Sequence, residues 1–367
     1  MLLAAVIWLG LQLALNARAN LEALNITSGF GFLETTAGFG VNQTLIPYSE
    51  SDAYGRVFLV GLLNTLLVSA LGIVLATLLG FLIGIARLSP NWLLARLAGG
   101  YVELIRNLPL LFQILFWYLA VLGTLPPPRQ SISLFGEIFI NNRGVIVPAP
   151  VAGQGAQLVL GALSLGLIIS LALRSWSRRR QERTGRSFPV LWTSLLVIIG
   201  LPVFALVLTG FPVRFETPEL RGFNFVGGLR LIPELAALLL ALTTYTASFI
   251  AEIVRAGLLA VPRGQTEAAM ALGLRRGLSL RLIIVPQALR VIVPPLTNQY
   301  LSLTKNSSLA VAVGYPDLVA VFAGTALNQT GQAIEIIAIT MAVYLAISLL
   351  TSALMNWYNA RIGMAER

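Results

Sequence analysis

Residues 57–86 read VFLVGLLNTLLVSALGIVLATLLGFLIGIA, thirty consecutive positions without a charge. As a helix at 1.5 Å per residue the run is about 45 Å long, more than the roughly 30 Å of hydrocarbon in a bilayer. A stretch of this length and apolarity predicts a membrane span. Further candidates read with the same ruler are Tyr101 to Leu122, Leu158 to Leu173, Phe188 to Gly210, Leu231 to Ala251, Leu289 to about Val313, and Ile334 to Met355. An eighth, Met1 to Leu15, covers only about 22 Å. It lacks the basic flank of a signal peptide although Ala17-Arg18-Ala19 resembles a cleavage cue, and it is read as a genuine first span whose start is missing or misplaced. The expected fold is therefore all-α and polytopic, with about eight transmembrane helices.

Composition agrees. Of 367 residues, 57% are apolar and 11% charged, with mean hydropathy +0.83, far from the make-up of a soluble domain. The net charge of +10 would suggest nucleic acid in a soluble chain, but here the charges are too few and the apolar runs too many. With no Cys and no His, disulfides, thiolate nucleophiles, imidazole bases and the usual soft-metal sites are excluded. The single lysine, Lys305, is followed by Asn306 and preceded by no glycine-rich loop, so no phosphate-cradling loop is present and any use of ATP falls to another chain.

Charge sets an orientation. Alternate connections, Arg87 to Gly100, Arg174 to Arg186, Glu252 to Arg290 and Trp357 to Arg367, hold 16 basic residues against 8 in the opposite set. Both termini are expected on the cytoplasmic side. Within the second connection, Arg178-Arg179-Arg180 is read first as a stop signal for translocation and second as a lipid-headgroup site. By texture the chain divides into 1–56, a span plus an outer segment of which Asn16 to Arg56 is read as linker; 57–122, the first core block; 123–229, an insert with two spans; and 230–361, the second core block.

Two stretches carry the functional reading. Val261 to Pro286, VPRGQTEAAMALGLRRGLSLRLIIVP, places good helix formers from Gln265 to Leu272 between Gly264 and Gly273. A helix of roughly 12 Å is expected, with Glu267 in its first turn, Gly273 capping its end, and Met270 and Leu272 exposed. A solvated loop would read the same on composition, but an exposed apolar knob fits the docking of a soluble partner. Thr297 to Ser308, TNQYLSLTKNSS, is polar at ten of twelve positions inside a span, and such a run does not face lipid. Asn298, Ser302 and Lys305 fall on one helical stripe, Thr304 lies beside them, and Pro286, Pro294 and Pro295 predict a bent or broken helix. This is the candidate substrate path, weighed against hydrogen bonding between subunits with Lys305 reaching to the surface. Thr244 and its hydroxyl neighbours on the preceding span rank second, because hydroxyls readily bond their own helix carbonyls. Glu103 with Arg106 and Glu252 with Arg255, each three residues apart, are candidates for a cytoplasmic gate, with local neutralisation as the plainer alternative.

Glu267-Ala268-Ala269, Gly273 six residues on, Ile283 and Pro286 resemble the EAA loop of bacterial ABC importer permeases, departing at Val285, where that family usually has leucine. Asn64-Thr65-Leu66, Glu103-Leu104-Ile105-Arg106-Asn107-Leu108-Pro109-Leu110-Leu111 and Ala251-Glu252-Ile253-Val254-Arg255-Ala256-Gly257 extend the resemblance to the polar amino acid group serving histidine, glutamine, arginine, opines and general L-amino acids. It covers about Tyr54 to Leu122 and Arg230 to Ala360, and the extra spans resemble the larger subunits of general L-amino-acid importers. The resemblance implies a five-helix core in a two-subunit pore of the bacterial inner membrane. It makes Glu267, Ala268, Ala269 and Gly273 the residues that couple to an ATPase. It also implies as partners an ATP-binding subunit holding ATP and magnesium, a second permease expected to make a heterodimer, and an extracytoplasmic amino-acid-binding protein. No cofactor is expected in this chain, which is read as a pore-forming subunit and not an enzyme. An ion-coupled secondary amino acid transporter is the alternative.

Overall fold

The computed structural model describes residues 4–5, 7–12, 15–16, 29–153, 155–185, 188–210 and 213–363. Of the expected span Met1 to Leu15, residues 1–3, 6, 13 and 14 lie outside them, and the rest are helical. Among the described residues six helices are long and apolar enough to cross a membrane, or seven when a bent pair is taken as one span. The chain forms two compact units, Met1–Thr124 with Ile232–Arg367, and Leu125–Leu231.

The first unit is built on α1 (Tyr54–Ala86), the helix of the charge-free run. Next come α2 (Trp92–Arg106), whose first N–H groups are capped by the Asn91 carboxamide, and α3 (Leu110–Leu122), which ends in a π-helical turn. The sequence predicts one span from Tyr101 to Leu122. The structure instead bends the chain by 106° between α2 and α3. The cause is Pro109, which disfavours helical backbone at Leu108 and supplies no N–H.

The second unit carries two helices, α4 (Ala156–Thr184) and α5 (Val190–Leu208), packed on one another where Gly166 meets the Val197 carbonyl. The helix expected to stop at Leu173 runs eleven residues further, to Thr184, because the arginines, Gln181 and Glu182 favour helix and are content in water. Among the described residues eight short strands accompany the pair: β1 (Ile132–Leu134), β2 (Ile138–Asn141), β3 (Gly144–Val147), β4 (Ala149–Ala152), β5 (Val213–Glu216), β6 (Glu219–Arg221), β7 (Asn224–Val226) and β8 (Leu229–Leu231). They form a sheet in the order β1-β2-β3-β8 and the ribbons β4-β5 and β6-β7, with antiparallel pairing throughout. The all-α reading describes the membrane helices, and these strands are added to it.

The first unit resumes with α6 (Pro233–Leu259), α7 (Arg263–Ala271) and α8 (Arg276–Val313), the last a composite of helical, π-helical and 3-10 segments. α9 (Val319–Ala326) is π-helical and α10 (Ala333–Gly363) closes the chain. α8 is unbroken at Pro294 and Pro295, so the expected break does not occur there. Ile292 and Leu296, on either side of the proline pair, are buried with Ala76, Ile250 and Val254, and this packing holds the helix where two backbone bonds are missing.

α1 and α6 form the centre. A methyl group added at Gly80 would stand 2.6 Å from Ile250 Cβ and 3.1 Å from the Ala247 carbonyl, and one at Gly84 would stand 2.8 Å from the Ala251 carbonyl. Small residues here let two backbones approach, the usual means of packing helices in lipid. The segment before α1 is not a linker over its described part. Phe32 and Ala37 are buried with Val57, Phe322 and Ile336. Ala37 N–H donates to the Asp52 carbonyl at 2.9 Å, Gly29 N–H to Glu335 Oε1 at 2.6 Å, and Asn64 Nδ2 to the Gln43 carbonyl at 3.0 Å.

Candidate functional site

α7 is a rigid knob. Gly273 follows it at φ +71°; its N–H donates to the Met270 carbonyl at 2.9 Å and the Leu274 N–H to the Ala269 carbonyl at 3.1 Å. This pair of bonds is the Schellman closure, and its left-handed position suits glycine. Ala269 is buried, whereas Glu267, Ala268, Met270 and Leu272 are exposed. Clefts of about 590 and 550 Å³ flank the knob, the first lined by Thr266, Met270, Leu274 and Ile284, the second by Ala268, Ala269, Leu272 and Pro286. Gln287 Nε2 donates to Gln265 Oε1 at 3.3 Å across the second. The helix begins at Arg263, two residues earlier than the sequence predicts, so Glu267 stands in the second turn. Extended backbone at Pro262 (ψ 138°) lets the helix start at the next residue.

On α8, Asn298, Ser302 and Lys305 are all exposed and share one face, as their spacing requires. Lys305 and Ser308 line a cleft of about 470 Å³ with Thr340, Tyr344 and Ser348 of α10. Thr304 is apart from this stripe: it is buried and donates to the Tyr300 carbonyl at 3.0 Å. Thr244 is half-buried, its hydroxyl donating to the Leu240 carbonyl at 2.7 Å, while its own carbonyl accepts the Tyr101 hydroxyl at 2.7 Å.

The charged candidates separate. Glu252 accepts from Arg255 at 2.5 and 3.1 Å and also binds Arg87 at the end of α1. Arg87 was not singled out by the sequence, where it is one more residue closing an apolar run. Among the described residues, Glu103 and Arg106 do not form an ion pair; the Arg106 guanidinium instead lies 4.8 Å from the centroid of Phe249, a cation–π contact.

A buried polar knot joins α1 to the connection between α8 and α9. Asn64 Nδ2 donates to the Pro316 carbonyl at 2.8 Å, and Leu318 N–H donates to Thr65 Oγ1 at 3.0 Å. Asp317, wholly buried, accepts the Ala320 N–H at 2.8 Å. Burial pushes its carboxyl up to about 7, partly opposed by backbone hydrogen bonds and the nearby Tyr344 hydroxyl. Nothing in sequence marked Asp317 beyond its sign, because its burial is a property of the fold.

The chain matches the family described as binding-protein-dependent transport system inner membrane component over residues 164–364. It is 56% identical over 355 residues to the putative amino-acid ABC transporter permease protein YhdX of Escherichia coli, covering 96% of this chain and 90% of that one. To the general L-amino acid transport system permease protein AapQ of Rhizobium johnstonii it is 51% identical over 352 residues, covering 96% and 88%. To the glutamate/glutamine/aspartate/asparagine transport system permease protein BztB of Rhodobacter capsulatus it is 45% identical over 396 residues, covering 100% and 92%. With its spans, its closed knob and this likeness along nearly its whole length, the chain belongs to the inner membrane components of binding-protein-dependent transport systems.

Proposed function

We propose that this chain is the permease subunit of an ATP-driven importer of polar or general L-amino acids in the bacterial inner membrane. The observation that carries the reading is the connection between α7 and α8. The knob, closed at Gly273, leads within four residues into a helix of 38 residues whose far half bears Asn298, Ser302 and Lys305. A push on the knob is transmitted along α8 to the polar stripe, as alternating access between two states requires. Glu267, Ala268, Ala269 and Gly273 form the surface offered to a separate ATPase, which supplies the nucleotide and magnesium. Glu252, Arg255 and Arg87 fasten the end of α1 to α6 near that surface, and Glu103 and Arg106 line the same end of α2.

A second permease, forming a heterodimeric pore, would cover the stripe, since exposed polar groups of a spanning helix avoid lipid. An extracytoplasmic amino-acid-binding protein would deliver the substrate, and the excess of arginine in alternate connections supports cytoplasmic termini. The names of the three relatives support amino acids as cargo. Family membership sets aside the ion-coupled alternative.

The test is purification of the tagged chain from native membranes in mild detergent, with mass spectrometry of stoichiometric partners, beside Glu267→Arg. An ATP-binding subunit present with the native chain and lost with the variant is expected. A chain that runs without any ATPase overturns the proposal.

A further inference from the structure

The hairpin of α4 and α5 ends in a cluster of positive charge that the proposed transport mechanism does not use. On α4, Trp176, Arg179, Arg180 and Arg183 are spaced i, i+3, i+4, i+7 and so share one face. Phe188, just before α5, stands edge-on to Trp176 at 5.4 Å. The Arg180 guanidinium sits 5.2 Å from the Trp176 centroid and 6.0 Å from that of Phe188. This aromatic bracket holds Arg180 half-buried, while Arg179 and Arg183 are exposed beside it. Among the described residues none of these arginines has a carboxylate partner, although Glu182 lies in the same turn.

Depth decides what such a cluster meets. In its most apolar window, 6% of α4 and none of α5 is buried within the protein, so both helices are surrounded by other apolar matter. Tryptophan settles at the membrane–water interface, and the Trp176–Phe188 pair marks that level. Arg179 and Arg183 stand about 4.5 and 10 Å beyond it along the helix. The headgroup layer of one leaflet is about 5 to 8 Å deep, so the three guanidinium groups lie in it and at its edge.

We propose that this face of the hairpin binds an anionic phospholipid, with its phosphate held by Arg179, Arg180 and Arg183 and its acyl chains lying along the unburied faces of α4 and α5. Guanidinium forks match phosphate oxygens in pairs. A lipid satisfies the charge and the apolar helix surface together, whereas an acidic soluble protein would satisfy the charge alone. The inference requires only that the hairpin crosses the bilayer and is independent of how transport is driven.

The experiment is native mass spectrometry of the whole complex taken from nanodiscs of phosphatidylcholine containing a minority of phosphatidylglycerol, beside the same complex carrying Arg179→Gln, Arg180→Gln and Arg183→Gln. The native complex is expected to retain phosphatidylglycerol in preference to phosphatidylcholine. Each arginine removed lowers that retention by about fivefold, the effect of one basic residue at an anionic surface. Arg174 and Arg178 remain in the variant to direct insertion. Gly185→Cys, which supplies a single thiol because the chain has none, reports the sidedness of the hairpin by thiol labelling. If the triple variant does not insert, Arg180→Gln alone carries the test. Equal retention of phosphatidylglycerol by native and variant complexes overturns the proposal, as does loss of an acidic protein subunit in place of lipid.

Discussion

Glu252 on α6 and Arg87 at the end of α1 form an ion pair across 165 residues of sequence, and Arg255 binds the other oxygen of the same carboxylate. One carboxylate thus fastens two helices, with all three side chains less than one-third exposed. Glu252→Gln would leave two guanidinium groups facing a neutral amide. A loss of about 2 to 3 kcal/mol in stability is expected, with a smaller loss for Arg255→Ala, which leaves the bond to Arg87. Thermal unfolding of the detergent-solubilised complexes measures both, and equal effects would mean that Arg87 contributes nothing.

Gly273 closes the knob at φ +71°. Gly273→Ala is expected to cost about 1 to 2 kcal/mol of local stability, and Gly273→Pro additionally removes the donor to Met270. Both variants should insert, while ATP-driven uptake in vesicles falls moderately for alanine and to background for proline. Undiminished uptake by the proline variant would show that the knob need not be rigid.

The approach of α1 to α6 leaves no room at Gly80, whereas nothing lies within 4 Å of a methyl group added at Gly99 or Gly100. Gly80→Val is expected to destabilise the chain by about 3 kcal/mol through overpacking, with Gly99→Ala close to neutral. Comparison of yield and melting temperature for the two variants tests this, and a stable Gly80→Val chain would mean that the helices separate easily.

Three of the five polar path candidates share an exposed face, whereas Thr304 is buried and the Thr244 hydroxyl is tied to its own helix. Lys305→Met and Asn298→Ala should therefore lower uptake by tenfold or so at unchanged assembly, a loss of about 1.4 kcal/mol of barrier stabilisation. Thr304→Val and Thr244→Val should affect stability more than transport. Uptake assays paired with melting curves separate the two classes, and a transport loss confined to the threonines would move the path elsewhere.

Asp317 gives the complex a pH dependence whose sign is fixed. Its carboxyl is raised from 3.8 to about 7 by burial, so between those values the folded chain holds a proton that the unfolded chain has released. Its contribution is fully present below about pH 4 and declines as pH rises through 7. The melting temperature should fall over that window, and Asp317→Asn should flatten the fall. An unchanged slope in the variant would assign the dependence to other groups.

The sequence by itself determined six of the eight expected spans, the helical knob and the stripe on α8, because hydropathy and helical periodicity are local: a charge-free run of thirty residues and a spacing of i, i+4, i+7 hold whatever surrounds them. Helix ends were less legible. Arg174 to Thr184 reads as a polar loop by composition yet continues α4, since residues that leave the membrane can still favour helix. Strands of three or four residues, such as β6 and β7, are too short for alternation to show. Only the tertiary structure decided that Arg87 joins Glu252, that Arg106 turns to Phe249, that Thr304 faces inward, that Asp317 loses its water, and that the segment before α1 packs on α9. Each of these depends on which distant residue arrives alongside, and no local pattern carries that information.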